Sequence, residues 1–144
     1  MIQTPLSSRL IGVLAMFAAF TLASCVSEDP DGKWDPMKWK ADVPIQIIDG
    51  VYTVHAVGEE LTFTCQNYSS PWIEFAASGE DNFFHSYETN DHHTLSTDWF
   101  KAETSGNKLK VSFEANETAK ERPLELTVTA GDIFYTFKFK QLAN

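Results

Sequence analysis

The chain has 144 residues, a formal net charge of −9 at pH 7 and two cysteines. This length fits one domain with a core of its own behind a short leader. The excess of acidic residues argues against binding to nucleic acid, and against binding to anionic membrane headgroups by charge alone.

The beginning of the chain, residues 1–24, predicts a lipoprotein signal peptide. Arg9 is followed by the uncharged run Leu10–Leu22, which has the length of a signal-peptide apolar region and is too short to span a bilayer. The run ends in Leu22-Ala23-Ser24-Cys25, which resembles a lipobox, where the cysteine thiol receives diacylglycerol before cleavage. We expect Cys25 to become the lipidated N-terminus, because several acyl chains on one residue hold a protein stably at a membrane.

Residues 25–41 predict a flexible tether. The stretch Ser27–Gly32 is polar, acidic and rich in turn-forming residues. An acidic stretch directly after a lipidated cysteine resembles the signal that sends Bacteroidetes lipoproteins to the outer face of the outer membrane, so we expect that location, with the periplasmic face as the alternative. Trp34 and Trp39 follow among lysines, and we expect them to dock on the domain rather than at the membrane or on a partner.

Residues 42–144 predict an all-β domain. Apolar and polar residues alternate with period two in most of this region, which is typical of strands with one buried and one solvated face. Two sheets that each bury one face give an immunoglobulin-like antiparallel β-sandwich of about seven strands. Cys65 falls on the apolar face of one strand and is expected to be a buried hydrophobic residue. The strand runs are Ile45–Ile48, Val51–Val57, Leu61–Cys65, Trp72–Ala77, Leu109–Ala115, Leu124–Ala130 and Ile133–Lys140.

One long polar interval, Ser78–Asp98, interrupts these strands, and a short extra strand is expected around Phe83–Tyr87. Long connections in compact domains often carry function. Exposed aromatic rings stack on the apolar faces of sugars, while Asn and His side chains bind hydroxyl groups. The alternative is that the aromatic residues close the edge of the sandwich. The candidate ligand-binding residues are Phe83, Phe84, Tyr87, Asn90, His92, His93 and Trp99.

Catalytic and metal-binding patterns are weak in this sequence. Asp91-His92-His93, with Glu88 and Asp98 nearby, contains metal-ligating residue types, but adjacent histidines diverge in an extended chain. No phosphate-binding loop, nucleophile elbow or zinc-protease motif is present in the sequence. We therefore predict no enzyme activity, no metal and no cofactor.

The second half of the domain carries a family pattern. Trp99-Phe100, the Ser105-Gly106 turn, the strand Leu109–Ala115, Asn116, Arg122 and the closing Phe139-Lys140-Gln141 occur in order. This pattern resembles the BACON domains of Bacteroidetes, which are immunoglobulin-like sandwiches in surface proteins and polysaccharide-degrading enzymes. The long Ser78–Asp98 segment departs from the pattern. The resemblance implies carbohydrate binding, whereas Asn116, Arg122 and Gln141 are of types that suit structural roles at strand ends.

These observations predict a non-catalytic surface lipoprotein that binds a carbohydrate or a mucin through residues 78–99. The alternative is a protein-interaction or spacer subunit of an outer-membrane surface complex that has no glycan ligand. Strand edges and the Trp34–Trp39 segment would then make the contacts. Membrane association would come from the lipid, and no nucleic-acid partner is expected.

Overall fold

The computed structural model describes residues 33–84 and 91–144, without the side chain of Phe84. These residues form strands and turns, and they contain no helix long and apolar enough to cross a membrane. The strands lie in the compact unit Trp34–Asn144. In chain order they are β1 Trp39–Ala41, β2 Ile47–Ile48, β3 Val51–Val54, β4 Glu59–Cys65, β5 Trp72–Ser78, β6 Asp81–Phe84, β7 Thr94–Ser96, β8 Phe100–Ser105, β9 Lys108–Phe113, β10 Arg122–Thr129 and β11 Phe134–Gln141.

The strands form two sheets, which confirms the predicted β-sandwich. The five-stranded sheet has the order β1-β4-β9-β8-β7, and the six-stranded sheet has the order β2-β3-β11-β10-β5-β6. The described residues contain eleven strands instead of about seven. Seven of them correspond to the predicted runs, and β6 overlaps the short strand expected around Phe83–Tyr87. The six-residue β8 lies outside the predicted runs, as do β1 and β7, which have three residues each. Such short strands give little alternation for a sequence reading to detect. The β3–β11 pair is parallel rather than antiparallel, since alternation carries no information on strand direction.

The core is built from aromatic rings that meet between the sheets. Phe63 of β4 lies 4.8 Å from Phe137 of β11, and Phe113 of β9 lies 5.3 Å from Phe139 of β11, measured between ring centroids. Aromatic pairs in such tilted geometries contribute about 0.5–1.5 kcal/mol beyond the area that they bury. Cys65 is also buried, in keeping with its predicted place on the apolar face.

The domain begins before residue 42. Trp39, which falls in the predicted tether, pairs with Cys65 in the register of β1 and β4, and its ring packs edge-on against Phe137 at 5.1 Å. Met37 is buried in the core, and Asn67 holds the same segment through a hydrogen bond to the Pro36 carbonyl. The strand is only three residues long, so the sequence alternation around it is too short to predict it, and its hydrogen bonds are completed by the edge of β4. Trp34 stays half exposed.

Two polar residues of the family pattern are buried and satisfy backbone groups. The amide of Asn116 donates to the carbonyls of Lys120 and Leu142, and its oxygen accepts from the Thr118 amide. Gln141 donates to the Glu114 carbonyl at 2.6 Å. These contacts join the loop after β9 to the end of β11, which agrees with the structural roles expected from the sequence.

A β-bulge in β5 decides which side chains face solvent. Thr127 pairs with Phe75, whereas Val128 pairs with Ile73, so the register shifts by one residue at Glu74. Ile73 faces the core together with Val128, and Trp72 and Phe75 therefore both stand on the outer face of the six-stranded sheet. Without the bulge, residues three positions apart on a strand point to opposite faces.

Candidate functional site

A groove of about 540 Å³ lies beside the start of β5 and is lined by Ser70, Trp72, His92 and His93. Pro71 precedes β5, so Ser70 belongs to the β4–β5 loop and Trp72 is the first residue of the strand. An indole and two imidazoles thus border one open space. This combination offers an apolar surface and hydrogen-bonding nitrogens to the same ligand.

Backbone hydrogen bonds to both sheets hold the two histidines in place. The carbonyl of His92 accepts from the Ile73 amide of β5, and the carbonyl of His93 accepts from the Thr104 amide of β8, both at 2.8 Å. Residues 92–93 therefore join the six-stranded sheet to the five-stranded sheet at one side of the sandwich. A site built on such a doubly anchored segment is more rigid than one on a loop that is held by its ends alone.

The ring of His93 is oriented by a second set of contacts. Its Nδ1 lies 2.8 Å from the Thr104 hydroxyl, and its backbone amide donates to the Asp91 carboxylate at 2.8 Å. With Nδ1 engaged, Nε2 is the ring nitrogen that can serve a ligand as donor or acceptor, depending on the tautomer. The side chain is exposed, so water or a ligand can reach it.

The structure separates Phe83 and Trp99 from this groove. Phe83 of β6 packs edge-on against Phe100 at 5.6 Å and adjoins the core, so its ring is occupied in packing. Trp99 precedes β8 and packs against Phe100 and Phe113, with the guanidinium of Arg122 5.4 Å from its ring centre. Trp99 and His93 lie at opposite ends of β8. The expected roles of Phe83 and Trp99 as ligand platforms are therefore not supported by their positions.

The side chains of three predicted ligand residues lie outside the described part of the structure. Tyr87 and Asn90 lie outside the described residues. Phe84 contributes its backbone to β6, opposite Phe75. Of the sequence candidates that the structure describes fully, His92 and His93 are the two that meet in one groove.

Ser70 and Trp72 are the groove residues that were not among the sequence candidates, and Trp72 is the aromatic one. As the first residue of a regular strand, Trp72 is expected to cap the edge of the sandwich. Nothing in the local sequence marks the bulge at Glu74, which decides the sheet face on which the Trp72 side chain lies. The useful sequence signal is the Pro71-Trp72 pair next to Ser70, since a large aromatic residue directly after a turn tends to stand at the end of a sheet.

A second groove of about 340 Å³ lies on the outer face of the five-stranded sheet, and His93 lines both grooves. The lysines of this second groove are engaged by acids of the same chain: Lys108 contacts Asp42 at 2.9 Å and Lys110 contacts Glu103 at 3.3 Å. The hydrogen bond from Lys108 lowers the pKa of Asp42, and a hydrogen bond from Lys101 lowers the pKa of Glu103. These surface pairs neutralise the lysines, which disfavours this groove as an anion site.

Within residues 33–84 and 91–144, no three His, Cys, Asp or Glu side chains come close enough to hold a metal ion. Glu88, the acid that the sequence places near Asp91-His92-His93, lies outside the described residues.

Comparisons with known proteins show a similarity to a solved structure. No family model matches it, and no curated protein matches it either. It is similar to a protein from Bacteroides thetaiotaomicron whose structure was determined by NMR, with 34% sequence identity and a TM-score of 0.67. The match covers 81% of this chain and 94% of that one, so it extends well beyond a single motif.

Proposed function

This chain belongs to the same family as the Bacteroides thetaiotaomicron protein, and from that starting point we propose that it is a non-catalytic module that binds a carbohydrate or a mucin glycan. The supporting observation is the groove in which Trp72 meets His92 and His93. Sugar rings present apolar C–H faces that stack on an indole, and their hydroxyls pair with imidazole nitrogens and with a serine such as Ser70. The sequence resemblance to BACON domains points the same way by analogy, although a shared fold does not assign a function.

The proposal is tested by screening a glycan and mucin array with the chain from residue 26, which contains the whole compact unit Trp34–Asn144. Affinity for each hit is then measured by titration calorimetry for the wild type and two variants. Trp72→Leu keeps apolar bulk but removes the indole, and we expect its affinity to fall about tenfold or more, as for a central aromatic contact. Trp72→Phe keeps a ring and is expected to retain part of the binding.

The matched control is Trp34→Leu, which removes a half-exposed tryptophan outside the groove and is expected to leave affinity unchanged. Thermal melting of each variant separates loss of contact from loss of fold. Equal affinity of wild type and Trp72→Leu for a confirmed glycan would refute the assignment of the groove. A wild type that binds nothing on the array would refute the function itself.

The mature protein is proposed to be held at the outer membrane through lipid on Cys25, facing outside, with the periplasmic face as the alternative. Cys25 lies outside the described residues, and the proposal depends on the Leu22–Cys25 lipobox and the acidic stretch after it. Detergent-phase partitioning of the wild type and Cys25→Ser checks the anchor. Release of the variant into the aqueous phase is expected, and membrane retention would contradict lipidation at this residue. Protease treatment of whole cells distinguishes the two faces.

A second function, a protein-interaction or spacer subunit of a surface complex, is favoured by the β2 edge. Ile47 and Ile48 are 54% and 53% exposed on an edge strand that has one neighbour. Edge strands with open hydrogen-bonding groups accept a further strand from a partner. Crosslinking on cells followed by purification tests this, with Ile47→Lys as the disrupting variant. Recovery of the same membrane protein with both wild type and variant would argue against this edge.

A further inference from the structure

The outer face of the six-stranded sheet carries a row of aromatic residues next to the groove. Trp72 of β5 pairs with Thr129 of β10, and Thr129 pairs with Phe134 of β11. Residues that pair in register share a sheet face, so Trp72, Thr129 and Phe134 form one row across three strands. Phe75 lies in the neighbouring row, opposite Thr127.

On this face the aromatic residue at the end of the row is exposed, whereas the threonines between the strands are covered, with Thr129 only 1% exposed. Phe134 is 56% exposed, whereas Thr127 is 6% exposed although it faces away from the core. The Thr127 hydroxyl pairs with the Thr136 hydroxyl at 2.8 Å, so this covered hydroxyl already has a partner within the sheet. Two strand spacings, about 10 Å, separate the strands that bear Trp72 and Phe134. A single sugar ring is too short to contact both residues.

The charge of this face restricts the ligand. Among the described residues, the paired positions of the Trp72 row and the Phe75 row carry no charged side chain, and the bulged residue Glu74 adds a carboxylate between them in the chain. The next row holds Lys138 and Glu125, which pair with each other at 3.5 Å. An anionic sugar would thus find no unpaired cation on these rows, and the chain as a whole carries a net charge of −9. An uncharged ligand is the one that this surface favours.

We propose that the binding site continues from the groove onto this face as far as Phe134, and that its ligand is an uncharged, extended oligosaccharide lying across β5, β10 and β11. The inference depends on the proposed glycan-binding function and adds the ligand's charge, its minimum length and its direction across the strands. The bulge at Glu74 makes this extended site possible, because it places Trp72 on the same outer face as Phe134 and Phe75.

Affinity measured against chain length tests this inference. The probes are linear neutral oligosaccharides of glucan, mannan and xylan type, from disaccharide to hexasaccharide, titrated into wild type, Trp72→Leu and Phe134→Ala. Wild-type affinity is expected to rise with length until both aromatic residues are contacted. Phe134→Ala should remove that rise, weakening the longest probe about fivefold or more while leaving the disaccharide unchanged. Val57→Ala is the matched control, because Val57 is an 82% exposed apolar residue remote from this face.

Each outcome bears on a different claim. If Trp72→Leu abolishes binding but Phe134→Ala behaves as wild type at every length, the extended site is wrong and the groove function stands. Stronger binding of charged than of neutral chains would also overturn the inference. If no probe binds, both proposals fail. If sedimentation shows self-association that Phe134→Ala removes, the face is a contact between copies of this chain, which overturns the ligand assignment.

Discussion

The substitution Gly58→Ala tests how closely the turn between β3 and β4 packs against the end of β9. This residue ends the turn between β3 and β4, where its amide donates to the His55 carbonyl, and its φ is +83°. A Cβ added there would collide with the Phe113 carbonyl oxygen and lie 3.0 Å from the Ala115 amide nitrogen. Both neighbours are backbone atoms at the end of β9, so neither can move aside like a flexible side chain.

The expected cost has two parts. A left-handed conformation costs a non-glycine residue about 1–2 kcal/mol. Overpacking against a fixed backbone adds about 1–3 kcal/mol. We therefore expect Gly58→Ala to lower the free energy of unfolding by about 2–5 kcal/mol. Gly106, in the turn between β8 and β9, has φ +56° and open space around its Cβ position, so Gly106→Ala should cost only about 1 kcal/mol.

Urea unfolding followed by tryptophan fluorescence measures both variants, with equal m-values as the check that the two-state analysis holds. Melting temperatures should fall in the same order, by roughly 4 °C per kcal/mol. The reasoning is refuted if the two variants lose the same stability, because the collision with Phe113 would then contribute nothing beyond the strained φ.

Two further predictions concern the core and its response to pH. Asn116→Ala should lower the free energy of unfolding by about 3 kcal/mol, since it removes a buried side chain that bonds two carbonyls and the Thr118 amide. Asn82→Ala removes an exposed side chain whose bond within the described residues is 3.4 Å long, and it should change the free energy by less than about 0.5 kcal/mol. Urea titration of both variants measures this, and equal losses would contradict it. Burial, with a smaller contribution from Tyr135, raises the pKa of Tyr52, so the folded state favours the protonated phenol. The associated stability is present below the unfolded pKa of about 10 and is lost as pH rises through the folded value. Tyr52→Phe should therefore lose less stability than the wild type between about pH 9 and pH 11, and parallel alkaline curves for the two proteins would contradict the raised pKa.

The sequence by itself predicts the fold class because strand alternation is a local property. In β9, Leu109, Val111 and Phe113 are buried while the residues between them are not, as the period of two requires. His92 and His93 could likewise be selected from sequence, since polar imidazoles in a long connection are visible without any knowledge of strand pairing.

What the tertiary structure decided is which strands pair and how their registers align. β1 has three residues, too few for its alternation to establish a strand, and it is completed by pairing with β4, so the domain starts earlier than the predicted residue 42. The register shift at Glu74 arises between β5 and β10, and it alone places Trp72 in the groove and in line with Phe134. Alternation shows which face of a single strand is apolar. The register is set by the neighbouring strand, and the register decides which side chains meet on the outer surface of the sheet.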